Sequence, residues 1–320
     1  MSRPRKIVIT TGDTDGIGLE VTAKALEKIG PQRGFQFIYV RGSKAAPSLL
    51  KRIGRKFKVR SFQTWHEALE YVPSSHKELI EAVLPQSPAR WVENAAVAAL
   101  HRKIDALVTG PLSKPEIKNA GLHDLGHTEI LKRLSKASDL WMTFFGKKFH
   151  VFLLSGHMPV KDVEAALTPE KVERGMREAL RLYKPSVKKP LAVLGLNPHA
   201  GDRGLLGSFD DEILAPVINR LREEGHAISG PLVPDAAFHE NNWKKFVAYA
   251  CCYHDQGLIP FKMIHGFESG VHVTAGLSFV RTSVDHGTGK DIFGKNKADA
   301  RSMIEAIRTA QTMIQSGKGT

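Results

Sequence analysis

Short apolar runs separated by longer amphipathic stretches constrain this chain more than any other feature of its sequence. Segments 6–10, 35–40, 57–59, 106–108, 150–154, 191–195, 246–252 and 271–274 read as strands. Segments 19–29, 88–103, 129–135, 169–182, 208–224 and 297–316 read as helices. That alternation is the pattern of a parallel sheet with crossover helices. Thr168 before Pro169-Glu170 predicts a capped helix start, and Ser208 before Asp210-Asp211 predicts another, with acids in its first turn. The tail Ser316-Gly-Lys-Gly-Thr is expected to fray.

Composition narrows the setting. Hydrophobic residues make up 42% of the 320, which excludes a mainly disordered or fibrous chain. The only cysteines are the adjacent Cys251-Cys252, so no disulfide framework or CxxC motif exists, and a reducing, cytoplasmic setting is expected. No run approaches the ~20 apolar residues of a membrane span, and the apolar stretch after MSRPRK is too short for a signal core. The formal charge of +13 is scattered and lacks a finger, an RNP motif or a basic dimerisation helix. Neither nucleic acid nor a membrane is expected as a partner; a small anionic substrate fits the excess.

Ligands of parallel α/β sheets bind beyond the carboxyl ends of strands, so the residues following each apolar run matter most. Three such ends deliver a histidine: Ser155-Gly156-His157, Asn197-Pro198-His199 and Tyr253-His254-Asp255. Neighbouring strand ends lie ~5–10 Å apart. The three imidazoles are therefore either converging ligands of one divalent cation, with an open position for substrate, or separate structural and surface histidines.

The glycine loop Gly12-Asp-Thr-Asp-Gly-Ile-Gly18 is neither GxGxxG nor a Walker loop, and Gly287-Thr-Gly-Lys290 lacks the earlier Walker glycine. A tight strand-to-helix turn is the plainer reading, with Asp13 and Asp15 weakening any pull on an anion. Gly126-His127-Thr128-Glu129 opens a helix, with Thr128 as the expected cap and His127 beside free amides that could hold a phosphate. Lys262 and Arg281 are further candidate anion partners or plain surface cations.

Several of these segments together resemble the 4-hydroxythreonine-4-phosphate dehydrogenase family. The resemblance rests on Val108-Thr-Gly-Pro111, Gly126-His-Thr-Glu129, Leu196-Asn-Pro-His-Ala-Gly201, Tyr253-His-Asp-Gln-Gly-Leu258 and Phe279-Val-Arg-Thr-Ser-Val-Asp-His-Gly-Thr288. It implies an isocitrate/isopropylmalate dehydrogenase-like α/β fold: two α/β/α lobes with mainly parallel sheets and an interlobe cleft. The first lobe would take residues 1–130 and 275–320, and the second residues 131–274. The resemblance further implies a homodimer whose interface completes each active site, and NAD or NADP bound without a dinucleotide glycine motif, at positions the motifs do not locate.

By the same resemblance His157, His199 and His254 are metal ligands for Zn²⁺, Co²⁺ or Mg²⁺. His127, Thr128, Lys262 and Arg281 contact substrate, Asp235 is an acid near the metal, and Lys262 and Asp235 are the candidates for the catalytic base. His272 stands where the family has a substrate-binding asparagine. The first loop also departs from the usual Gly-Glu-Pro-Ala-Gly-Ile-Gly, and Leu154-Ser155-Gly156 from the usual Thr-Thr pair.

The implied activity is oxidation of 4-phosphohydroxy-L-threonine at C3, followed by decarboxylation to 3-amino-2-oxopropyl phosphate, in pyridoxal 5′-phosphate biosynthesis. His272 and the altered loop keep a second reading open, a paralogous dehydrogenase for D-threonate or D-erythronate 4-phosphate. A third reading is a non-enzymatic binding protein on the same scaffold.

Overall fold

Twelve strands carry the fold of the computed structural model, which describes residues 3–266 and 269–317. In chain order they are β1 (Arg5–Thr10), β2 (Phe35–Arg41), β3 (Lys58–Phe62), β4 (Glu78–Val83), β5 (Ala106–Thr109), β6 (Trp141–Phe145), β7 (His150–Leu153), β8 (Leu191–Leu194), β9 (Ile228–Leu232), β10 (Ala248–Cys251), β11 (Val271–Ala275) and β12 (Val280–Val284). The chain divides into two compact units, Met1–Leu140 with Leu277–Thr320, and Trp141–Gly276. Lys318, Gly319 and Thr320 of the tail expected to fray lie outside the described residues.

The first unit is an all-parallel sheet in the order β3-β4-β2-β1-β5-β12. Side chains alternate across a strand. Val8, Ile38, Ile80 and Leu107 join one buried cluster with Trp91, Val92, Ala95 and Ala99 of helix Pro88–Leu100. The intervening Ile7, Ile9, Phe37 and Tyr39 are buried as well, so both faces are covered. Helices Gly18–Ile29 and Arg301–Gln315 pack against one another, and the latter against β12 and β5.

The second unit is ordered β11-β6-β7-β10-β8-β9 and is parallel except around β6, which runs antiparallel to both neighbours. Phe144, Val151, Leu153, Leu194, Tyr249 and Cys251 form one face of its core with Leu258 and Phe261 of helix His254–His265. Helix Pro169–Tyr183 begins as expected: Thr168 caps it by accepting from Lys171 N at 3.3 Å, Pro169 sits in the first turn, and Val172, Met176, Ala179 and Tyr183 face inward. The mainly parallel α/β architecture is the one expected, with four strands unforeseen: β4, β6, β9 and β12. The expected helix 208–224 departs as well, starting with a π-helical turn, Asp210–Leu214, before Ala215–Glu223.

Candidate active site

The glycine-rich loop after β1 is a packing device. A Cβ on Gly12 would lie 1.9 Å from Pro111 O, and one on Gly18 would lie 1.6 Å from Thr11 O. Only glycine permits backbones this close. Asp13 is buried and accepts from Ser113 N at 2.9 Å, while Lys290 Nζ reaches Asp15 at 2.8 Å and Asp13 at 3.3 Å. Ile17 N donates to Thr288 O at 2.9 Å. The two glycine motifs therefore tie to each other, and Lys290 serves carboxylates, consistent with the tight-turn reading. Beside them lies a cavity of about 660 Å³, lined among others by Thr14, Gly16, Gly42, Leu84, Phe293 and Asn296.

Arg281 lies on β12 with 1% of its surface exposed, and its Nη2 donates to the buried Thr109 hydroxyl at 2.6 Å. Burial pushes the guanidinium down to about 9, so it stays cationic at neutral pH. Burial also holds the His127 imidazole well below its ordinary value, and the charge of Arg281 adds to the effect. His127 Nε2 is buried without a hydrogen-bond partner, an arrangement suited to an incoming acceptor. Thr128 is not the expected cap. Helix His127–Ser135 starts two residues earlier than expected, after an extended Gly126, with no side-chain cap bond, so Thr128 sits in the first turn near the free amides.

In the second unit, His157 follows β7, His254 opens the helix after β10, and His199 lies in the turn after β8. The rings of His157 and His254 are 5.0 Å apart between centroids, close to the ~5 Å expected of two imidazoles sharing one cation at a metal–nitrogen distance of about 2.1 Å. His254 Nδ1 pairs with Asp255 Oδ1 at 2.7 Å, which leaves Nε2 as the nitrogen able to take a metal. His199 adopts a left-handed backbone at φ 52°. Among the described residues no three His, Cys, Asp or Glu side chains gather in a cluster able to hold a metal ion. The donor chemistry and the first pair fit a divalent cation, and the structure brings neither His199 nor Asp235 into a trio with them.

Asp235 is exposed in the short turn Pro234–Ala237. Lys262 is half-buried in the last turn of helix His254–His265, about 12 Å along the axis from His254. His272 lies on β11, opposite Phe144 of β6, and stacks on its ring at 5.2 Å.

Three side chains that the sequence did not single out for the site tie the strand-end loops together. Ser155 Oγ donates to Cys252 O at 2.6 Å, and Gln256 bonds Cys252 N at 2.7 Å and Gly195 O at 2.6 Å. Asp210 accepts from Leu196 N at 2.7 Å and from Asn197 N and Nδ2 at 3.1 Å. Gln256 stands inside the His-Asp-Gln-Gly motif, so its place in sequence was the available signal. Asp210 read as a helix-start acid.

Comparison with known proteins places this architecture. Isocitrate dehydrogenase from Methylococcus capsulatus superposes with a TM-score of 0.51 at 14% identity, covering 98% of this chain and 86% of that one. A 4-hydroxythreonine-4-phosphate dehydrogenase from Klebsiella pneumoniae superposes at 0.80 with 28% identity, covering 98% of each. The fold is thus isocitrate dehydrogenase-like, and the protein is an enzyme of the dehydrogenase class.

Residues 60–310 match the family described as pyridoxal phosphate biosynthetic protein PdxA, and the chain belongs to that family. A 4-hydroxythreonine-4-phosphate dehydrogenase from Sulfurihydrogenibium sp. is 39% identical over 95% of this chain and 97% of its own length. A D-threonate 4-phosphate dehydrogenase from Salmonella typhimurium is 34% identical over 97% of this chain and 99% of its own. Among the described residues no helix is long and apolar enough to cross a membrane.

Proposed function

We propose that the protein oxidises 4-phosphohydroxy-L-threonine at C3 with NAD or NADP and then decarboxylates the product, using a divalent cation (Zn²⁺, Co²⁺ or Mg²⁺), as a cytoplasmic homodimer. The observation that carries the reading is the imidazole pair His157–His254 at parallel strand ends, in a chain whose relatives are named for this dehydrogenation. His199 is the third ligand in this proposal, joining the pair from the next strand end.

His127, Thr128 and Arg281 bind the phosphate. The free amides of the helix start and the buried guanidinium supply fixed donors, and His127 Nε2, which has no hydrogen-bond partner among the described residues, would donate to the phosphate in its Nε2–H tautomer. His157, His254 and His199 would hold a divalent cation, which would supply Lewis acidity at the substrate hydroxyl. Lys262 or Asp235 would take the hydroxyl proton, and a bound nicotinamide ring would supply the acceptor for the C3 hydride. The resulting 3-oxo acid loses carbon dioxide to give 3-amino-2-oxopropyl phosphate. The cavity beside the glycine loop has room for the adenosine end of the dinucleotide.

His272 and the Salmonella typhimurium relative support a second reading, in which the substrate is D-threonate or D-erythronate 4-phosphate. An imidazole stacked on Phe144 differs in shape and charge from an asparagine amide that both donates and accepts. The test is NAD(P)H formation by metal-stripped and reloaded protein on the three phosphates side by side. Metal-dependent turnover strongest on the amino acid supports the first reading, and preference for a threonate or erythronate phosphate replaces it by the second. Full activity in His199→Ala would sink the metal proposal.

A further inference from the structure

The cavity beside the glycine loop lies wholly within the first unit, and its volume of about 660 Å³ is within the ~300–1,000 Å³ of ordinary small-molecule sites. Three charged side chains line it: Asp15, Glu20 and Lys44. Both carboxylates are already engaged. Asp15 takes Lys290 Nζ at 2.8 Å, and Glu20 takes Lys24 Nζ at 2.7 Å and the amide of Ala298 at 2.8 Å. Lys44 is exposed, and its ammonium has no ion-pair partner among the described residues. Ser43 and Ser48 add hydroxyls to the same stretch of lining.

The chain leading to Lys44 is held from behind. Arg41, buried at the end of β2, donates through Nη1 to Gly42 O at 2.8 Å and to Ser43 O at 3.2 Å. Its Nε donates to Glu81 Oε1 at 2.7 Å, and the Tyr39 hydroxyl ends on the same oxygen. This wall of the cavity is therefore set before a ligand arrives, which spares part of the ordering cost of binding.

From this arrangement we infer that the cavity reads the 2′-phosphate of NADP, and that Lys44 determines a preference for NADP over NAD. The inference rests on the reading of the cavity as the site for the adenosine end of the dinucleotide. The two cofactors differ only at the 2′ position of the adenosine ribose, where NAD has a hydroxyl and NADP a phosphate monoester. A free carboxylate accepts from the hydroxyl and repels the phosphate, whereas a cation pairs with the phosphate. Among the described residues, both carboxylates of this lining already have donors, and one cation and two hydroxyls remain to donate.

The experiment titrates NADPH and NADH separately into full-length protein and follows nicotinamide fluorescence, which needs neither metal nor substrate. The wild-type protein is expected to bind NADPH about tenfold more tightly than NADH, as one charge-assisted phosphate contact would give. Lys44→Ala is expected to bring the two affinities together by weakening NADPH, and Lys44→Arg to keep the preference. 2′-AMP carries the same phosphate without the nicotinamide, and it should displace NADPH from the wild-type protein. Equal binding of the two dinucleotides, or tighter binding of NADH, overturns the inference and leaves the dinucleotide reading of the cavity standing. A preference for NADPH that survives in Lys44→Ala overturns it as well. If neither dinucleotide binds, that reading itself fails and the inference goes with it.

Discussion

Arg281 donates through Nη2 to the hydroxyl of Thr109 at 2.6 Å, inside the sheet of the first unit, where β12 and β5 run in parallel. Neither side chain reaches solvent appreciably. A buried guanidinium needs its geometry fixed before an anion arrives, because a charge held in the wrong orientation gains little from the anion. Thr109→Val keeps the shape and removes the acceptor. Hydrogen bonds to charged groups contribute about 1.5–3 kcal/mol. The expected result is a rise of about tenfold in KM for the phosphorylated substrate, with kcat changed much less. An unchanged KM from steady-state kinetics would show that Arg281 is oriented by other contacts.

The neighbouring His127 gives a pH signature. Burial, with the Arg281 charge adding to it, keeps this imidazole neutral in the folded protein below its ordinary titration range. The unfolded chain takes up a proton as pH falls through ~6.5 and the folded protein does not, so stability from this group is present above that pH and is lost below it. Relative to His127→Gln, the wild-type protein is expected to lose up to ~1.4 kcal/mol per pH unit between pH 6.5 and 5.5. Urea denaturation of both proteins across that window checks it. Parallel pH curves would mean that His127 titrates normally.

Much of the site was legible because parallel sheets deliver ligand-facing residues at a predictable place, the strand's carboxyl end. That rule alone brought out His157, His199 and His254. What escaped had physical reasons. β4 is wholly buried yet carries Glu78 and Glu81, which look like surface residues until their partners are seen. Arg60 Nε donates to Glu78 at 3.1 Å, and Arg41 Nε donates to Glu81 at 2.7 Å. β12 hid behind its own motif, since Arg281, Thr282 and Ser283 fill its middle and all three are buried. Gly230-Pro231 disguised β9 as a loop. Asp210 sits where a helix-start acid belongs, and only the fold shows its carboxylate turned toward the β8 loop.

Cys251 and Cys252 both lie fully buried, and burial raises each thiol well above its ordinary range. The thiolate is the reactive form, so neither is expected to be modified by iodoacetamide at pH 8 over the time in which free cysteine reacts to completion. Both should react once the protein is unfolded in guanidinium. Stoichiometric alkylation of the native protein, read by mass spectrometry, would show that the end of β10 opens readily.

Asp210 bears on the most strained backbone in the second unit. His199, Ala200, Asp202 and Arg203 all have φ between 43° and 56°, with Gly201 at 81° among them. A left-handed conformation costs each non-glycine residue on the order of 1–2 kcal/mol. The turn persists because its base is clamped, with Leu196 N, Asn197 N and Asn197 Nδ2 all ending on one buried carboxylate. Asp210→Asn preserves volume but sets an amide group against those donors and leaves at least one of them unsatisfied. The variant is expected to lose about 2–4 kcal/mol in urea denaturation. Amide exchange should accelerate over residues 196–203 before it does so elsewhere in the sheet, because the strained turn relaxes first. A loss below ~0.5 kcal/mol with unchanged exchange would show that the turn holds its left-handed geometry without Asp210.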